Sequence, residues 1–78
     1  MAKDSEAVEF GNRLEAARIA AGMTQSQLAD GSNVSQSFVS QVERGEIENP
    51  GWRTVRNFEL ALGLKPGALT RVPARQRS

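Results

Sequence analysis

The chain has no cysteine and no histidine. These absences remove disulfide staples, thiol nucleophiles, zinc sites of the usual Cys/His type and imidazole acid–base chemistry. A glycine loop able to cradle phosphate is also missing, so an enzymatic reading would have to rest on paired carboxylates. The acidic residues are instead expected to scatter over outer helix faces. The expectation is a protein that catalyses no reaction, holds no metal or cofactor and shows no evident small-molecule site. No apolar run approaches the roughly 18 residues of a membrane span. The start, MAKDSEAVEF, lacks the basic-then-apolar layout of a secretory leader. A cytoplasmic, nucleoid-associated location with no membrane partner follows as an expectation.

What is present is a single small domain: 78 residues with 38% hydrophobic and 24% charged side chains. A core of this size buries only about 60% of the surface its unfolded chain exposes, which favours oligomerisation. The net charge of +1 hides an uneven distribution. Residues 1–34 hold three bases against five acids, net −2, whereas residues 35–78 hold seven bases against four acids, net +3. A polyanion would meet the second half of the chain.

Helical periodicity dominates, without β-type alternation or internal repeats. Phe10, Leu14, Ala17 and Ala21 recur at spacings of four, three and four, which predicts a first helix over about Ala7–Ala21, closed by Gly22. Thr24 with Gln27 forms a capping-box pattern, and Met23 with Leu28 a hydrophobic staple, so a short second helix is expected over about Gln25–Asp30. Gly31-Ser32-Asn33 reads as the turn. Ser35 is the next N-cap, with Val34 and Val39 as staple partners, for a third helix running to about Arg44. Trp52, Val55, Phe58 and Leu62 give a fourth helical stripe ending at Gly63, and Pro66 can open a single-turn fifth helix that includes Leu69. The expected architecture is all-α, a compact four- to five-helix bundle containing a helix-turn-helix over residues 7–70. Residues 1–6 are expected to be a flexible N-terminus and 71–78 a basic flexible tail. The expected core is Phe10, Leu14, Ala17, Leu28, Ala29, Val39, Val42, Val55, Phe58 and Leu62.

Two short capped helices joined by so brief a turn must cross steeply, and the second can then protrude. An α-helix fits the major groove of B-form DNA. The third helix has Val39 and Val42 on its inner side, while Gln36, Ser37, Ser40 and Gln41 are polar and uncharged. Glutamine and serine can simply fill an exposed helix, although such surfaces more often carry Lys, Glu and Arg. Amides are also what adenine recognition uses, because one oxygen and one NH₂ pair with N6 and N7 together.

The segments RLEAARIAAGMTQSQLA, NVSQSFVSQVERG and NP followed by TVRNFELALGL resemble the Cro/CI-type, XRE-like helix-turn-helix repressors over roughly Phe10–Leu69. The resemblance implies a lambda repressor-like DNA-binding domain whose third helix reads the major groove while the second crosses the sugar-phosphate backbone. It assigns base reading to Gln36, Ser37, Gln41 and Ser40. Backbone contacts fall to Gln25, Ser35, Phe38, Arg44, Asn49 and Arg53, with Arg56 beside them. Phe38 can press on a thymine methyl or the sugars, or lie at the edge of the core. Arg18 and Glu43 are implied to form a structural ion pair between the first and third helices.

The implied function is transcriptional regulation, as a repressor reading a palindromic operator in double-stranded DNA as a homodimer. Leu64, Leu69 and Val72 are the implied dimer residues. Ile19 and Leu60 fall off the inward faces, either as isolated exposed residues or as part of a subunit contact. Arg71, Arg75 and Arg77 can add attraction to phosphates or simply fray. Asn33 and Ser32 depart from the family turn, where glycine and an apolar residue are usual, which leaves the junction loosely packed. The competing reading is an antitoxin-type protein-interaction module with secondary DNA binding.

Overall fold

The computed structural model describes residues 5–70. Four helices follow one another, α1 (Ser5–Ala20), α2 (Gln25–Ser32), α3 (Gln36–Glu43) and α4 (Trp52–Leu62), with no strand among the described residues. The all-α expectation holds. α1 takes in Ser5 and Glu6, ahead of the first residue expected from periodicity.

Local chemistry sets the boundaries of the central pair. Thr24 accepts a hydrogen bond from the Gln27 amide at 3.0 Å, and the Gln27 side chain accepts one from the Thr24 amide at 2.9 Å, which completes the capping box. Ser35 caps α3 by accepting from the Phe38 amide at 3.0 Å. α2 runs two residues beyond the expected stop at Asp30, so Gly31 and Ser32 are helical and the turn begins only at Asn33. Asn33 adopts φ 62° and ψ 41° and donates its amide back to α2. It thus supplies the left-handed residue that glycine usually provides, a conformation asparagine tolerates better than other side chains.

The core gathers Leu14, Leu28, Ala29, Val39, Val42, Phe58 and Leu69, with Phe10, Ala17, Val55 and Leu62 half-buried around it. α2 lies against both α3 and α4, and α1 against α3. Gly11 makes the last packing possible. A Cβ there would overlap the Val42 carbonyl oxygen and come within 2.7 Å of that of Glu43, so the backbones of α1 and α3 meet directly. The Ser32 side chain is buried beside the turn, and its hydroxyl has no hydrogen-bond partner. The junction is therefore closed rather than loose, and it strands one polar group.

Three expectations are corrected. There is no fifth helix among the described residues: Pro66–Thr70 forms successive turns, with the Ala68 amide on the Lys65 carbonyl and the Thr70 amide on that of Gly67. Gly67 sits at φ 88°, which interrupts a right-handed helix before its first turn closes. Trp52 does not join the inward stripe of α4 but is 75% exposed. As the first helical residue its Cα–Cβ bond tilts back along the axis, away from the layer where Val55 and Phe58 meet the core. Finally, Glu59 is not on an outer face. It is 2% exposed, accepts the Leu69 amide at 3.2 Å and receives Arg56 at 3.2 Å.

Candidate nucleic-acid interface

α3 divides cleanly. Val39, Val42 and Glu43 are buried, while Gln36, Ser37, Gln41 and Arg44 are exposed and Ser40 is half-buried. The outward residues gather in one shallow depression of about 320 Å³ lined by Gln36, Ser37, Ser40, Gln41 and Arg44. All four residues expected to read bases thus lie together, with one expected phosphate contact at their C-terminal end. The surface offers amide and hydroxyl groups, each able to donate and accept, and a guanidinium, which only donates.

Several of these groups are already oriented by neighbours. Ser26 on α2 donates its hydroxyl to Gln36 Oε1 at 3.2 Å, which leaves the Gln36 NH₂ as the end to meet a base acceptor. Sequence reasoning misses Ser26, because an exposed serine on a short helix carries no signal until the tertiary fold places α3 beside it. Arg44 donates from Nε and Nη2 to Glu46 at 3.0 and 3.1 Å and from Nη1 to the Ser40 hydroxyl. The hydrogen bond to Glu46 raises the Arg44 pKa above its ordinary value. The guanidinium is thus held over the depression by an exposed carboxylate.

Behind this face, Arg18 Nε and Nη2 make a two-pronged contact to Glu43 at 2.7 and 3.1 Å, and Nη1 donates to the Met23 carbonyl at 2.9 Å. The Glu43 hydrogen bond raises the Arg18 pKa against the opposing effect of burial, with the nearby Glu43 and Glu15 charges adding to it. A raised arginine pKa means that the stabilisation is complete at every ordinary pH and fades only in strong alkali. Gln25 joins the same carboxylate, donating Nε2 to Glu43 Oε1 at 3.0 Å. Its side chain, expected to face phosphate at the start of α2, is half-buried and reaches the buried pair with one of its two amide hydrogens.

The remaining expected contacts separate. Phe38 lies at the edge of the core, half-buried and stacked on Phe58 with ring centroids 6.5 Å apart; of its two readings, packing is the one the ring adopts. The Ser35 hydroxyl accepts the α3 cap. Asn49 uses its side-chain oxygen to accept the Gly51 amide at 3.1 Å, a local turn that shapes the loop before α4. Arg53 lies over the Trp52 ring, 5.3 Å from its centroid. Leu69, expected at a dimer contact, is 2% exposed. It is held inward by its amide bond to Glu59 and by its carbonyl, which accepts Arg13 Nη1 at 3.3 Å. That side chain belongs to the core of its own chain and is unavailable to another. Leu64 is half-buried against the same core, while Val72, Arg71, Arg75 and Arg77 lie outside the described residues. Ile19 and Leu60 are exposed.

Among the described residues no group of acidic side chains is arranged to hold a metal ion, and no helix is long and apolar enough to cross a membrane.

Residues 9–72 match a family described as a helix-turn-helix domain. Two solved structures superpose closely. One is the restriction-modification controller protein C.AhdI from Aeromonas hydrophila, at 35% identity and TM-score 0.81, covering 85% of this chain and 98% of that one. The other is a single-residue mutant of the restriction-modification controller protein C.Esp1396I, at 22% identity and TM-score 0.79, covering 87% of this chain and 85% of that one. The second likeness concerns the fold alone. No curated protein sequence matches the chain.

Proposed function

Because the chain belongs to the helix-turn-helix domain family, whose members of this XRE-like type are DNA-binding regulators and not enzymes, we propose that it is a sequence-specific repressor. It reads a palindromic operator in double-stranded DNA through the major groove. The observation that carries this reading is the two-sided character of α3: its apolar side is buried, and its amide and hydroxyl side chains converge in a single outward depression. Gln36 and Gln41 are the base-reading amides, with Ser37 and Ser40 between them. Paired contacts of an amide with adenine N6 and N7 discriminate against the wrong base by about 1–3 kcal/mol. Arg44 meets a phosphate once it leaves Glu46, and the amides at the start of α2 supply further donors to the backbone. Gln25, at the start of α2, contributes to the backbone contact while its bond to Glu43 fixes its side chain.

The likeness to a restriction-modification controller supports a regulator that acts as a homodimer on DNA, and we place it in the cytoplasm. Two copies of α3 would then enter successive major grooves about 34 Å apart. With Leu69 committed to the core, the half-buried Leu64 remains from the expected contact residues, and Ile19 and Leu60 are exposed apolar side chains that can join it.

The test is selection of duplex DNA from random sequence, followed by binding titrations at several salt concentrations. A symmetric selected site whose affinity falls with salt, and whose sequence preference changes with Gln36→Ala or Gln41→Ala, meets the proposal. Enrichment of no site, or unchanged preference in both variants, sinks it. A reporter carrying the selected site settles the sign of regulation.

A further inference from the structure

Gln36 and Gln41 carry the same side chain on the same outward depression, yet they are held differently. Gln36 Oε1 accepts a hydrogen bond from the Ser26 hydroxyl at 3.2 Å. Gln41 makes no side-chain hydrogen bond among the described residues. Ser26 itself stands on a fixed support. It is the second residue of α2, inside the capping box of Thr24 and Gln27, and its neighbour Gln25 is bound to Glu43. Holding a long, flexible side chain in one arrangement costs rotamer entropy. For Gln36 part of that ordering is complete before DNA arrives, whereas for Gln41 all of it falls on the binding step.

We propose that Ser26 is a positioning residue for base selection: by anchoring Gln36 Oε1 it presents that amide for paired contact with adenine, and it makes the operator position read by Gln36 more stringent than the one read by Gln41. The assignment rests on the DNA-binding reading and deepens it. An amide oxygen has two lone pairs and its nitrogen two hydrogens. The Ser26 bond uses one lone pair, and adenine N6 and N7 require one remaining lone pair and one N–H. Guanine presents acceptors at both N7 and O6, so an anchored amide would set its oxygen against a second acceptor. Turning that oxygen away breaks the bond to Ser26. An unanchored amide can turn freely and offer its NH₂ alone, so Gln41 tolerates either purine.

Two measurements test this, one of them without DNA. In the free protein, nitrogen relaxation of the side-chain amides should show Gln36 more ordered than Gln41, and Ser26→Ala should bring Gln36 to the level of Gln41. On DNA, selection from random duplexes is run with the unaltered chain, Ser26→Ala, Ser26→Thr and Gln36→Ala, the last of which locates the base pair that Gln36 reads. There the unaltered chain should prefer adenine, and Ser26→Ala should lower its preference over guanine by about two- to tenfold, the net worth of one hydrogen bond. Preference at the Gln41 position should stay as it was. Ser26→Thr should restore the adenine preference, and Ser26→Ala should add nothing in a chain that already carries Gln36→Ala. Thermal midpoints should match throughout, since Ser26 and Gln36 are exposed.

Equal ordering of the two amides in the unaltered free protein overturns the proposal. So does a selected site whose Gln36 position is not adenine or does not respond to Ser26→Ala. A loss in Ser26→Ala that is alike on all sequences, with a shallower salt dependence, also overturns it, because the hydroxyl would then touch phosphate itself. Selection of no site while Gln36 remains the more ordered amide marks failure of the DNA-binding reading, and the proposal falls with it.

Discussion

Glu43 and Arg44 are adjacent in the chain, and each makes a two-pronged arginine–carboxylate contact, yet the two contacts are opposite in kind. Glu43 and Arg18 have side chains 4% and 12% exposed, whereas Arg44 and Glu46 are 53% and 38% exposed. The first pair joins α1 to α3, with Gln25 bringing in α2, so it sets the angle at which the outward face of α3 leaves the body. The second spans only two residues and can open to water at little cost. One helix end thus holds a fixed joint on its inner side and an exchangeable arginine on its outer side. A surface that must keep its shape while swapping partners needs both.

The largest effect should come from breaking the fixed joint. Arg18→Ala leaves a buried carboxylate with Gln25 in place of its cation, and loss of one partner of a buried pair costs about 3–5 kcal/mol. Urea denaturation should show a fall of that size; a loss below about 1 kcal/mol, the range of exposed pairs, would erase the distinction between the two contacts. Next, Gln36→Ala and Gln41→Ala should each weaken binding to the selected site by about 1–3 kcal/mol and relax preference at one base position. Their thermal midpoints should match that of the unaltered protein, because these side chains lie outside the packed face.

A smaller effect sharpens the buried side of the comparison. Ser32→Ala removes a hydroxyl that is desolvated without a partner and should raise stability by about 1 kcal/mol, read by the same denaturation. The smallest change in folding belongs to Arg44→Ala, which should leave stability unaltered. Its signature lies in DNA binding, as weaker affinity on all sequences alike and a salt dependence shallower by about one phosphate contact. A sequence-dependent loss would move Arg44 from the backbone contacts to the base-reading set.

Elements whose signals are local were legible before the structure. The caps at Thr24 and Ser35, the stop at Gly63 and the apolar positions Leu14, Leu28, Val39, Val42 and Phe58 follow from spacings within one helix turn. The Arg18–Glu43 pair came through resemblance rather than periodicity, since nothing near either residue points to a partner 25 positions away. The contacts that stayed hidden share that property. Gln25 on Glu43, Ser26 on Gln36, Glu59 beneath Leu69 and the close approach at Gly11 each depend on how two elements cross. The misjudged positions, Trp52 and Leu69, sit where a helix begins or never forms, and there helical phase no longer predicts which way a side chain points.

The amino-acid order by itself determined that short capped helices would form, that α2 and α3 would be joined by a tight turn, and that one side of α3 would be polar without charge. These outcomes rest on hydrogen bonds and apolar spacings among residues close in the chain. Only the tertiary structure decided that this side would be one continuous surface tied back through Arg18, Glu43 and Gln25, and that Leu69 would be committed to the core. Those outcomes depend on which backbones can approach closely, and on which charges keep a partner once water has been excluded.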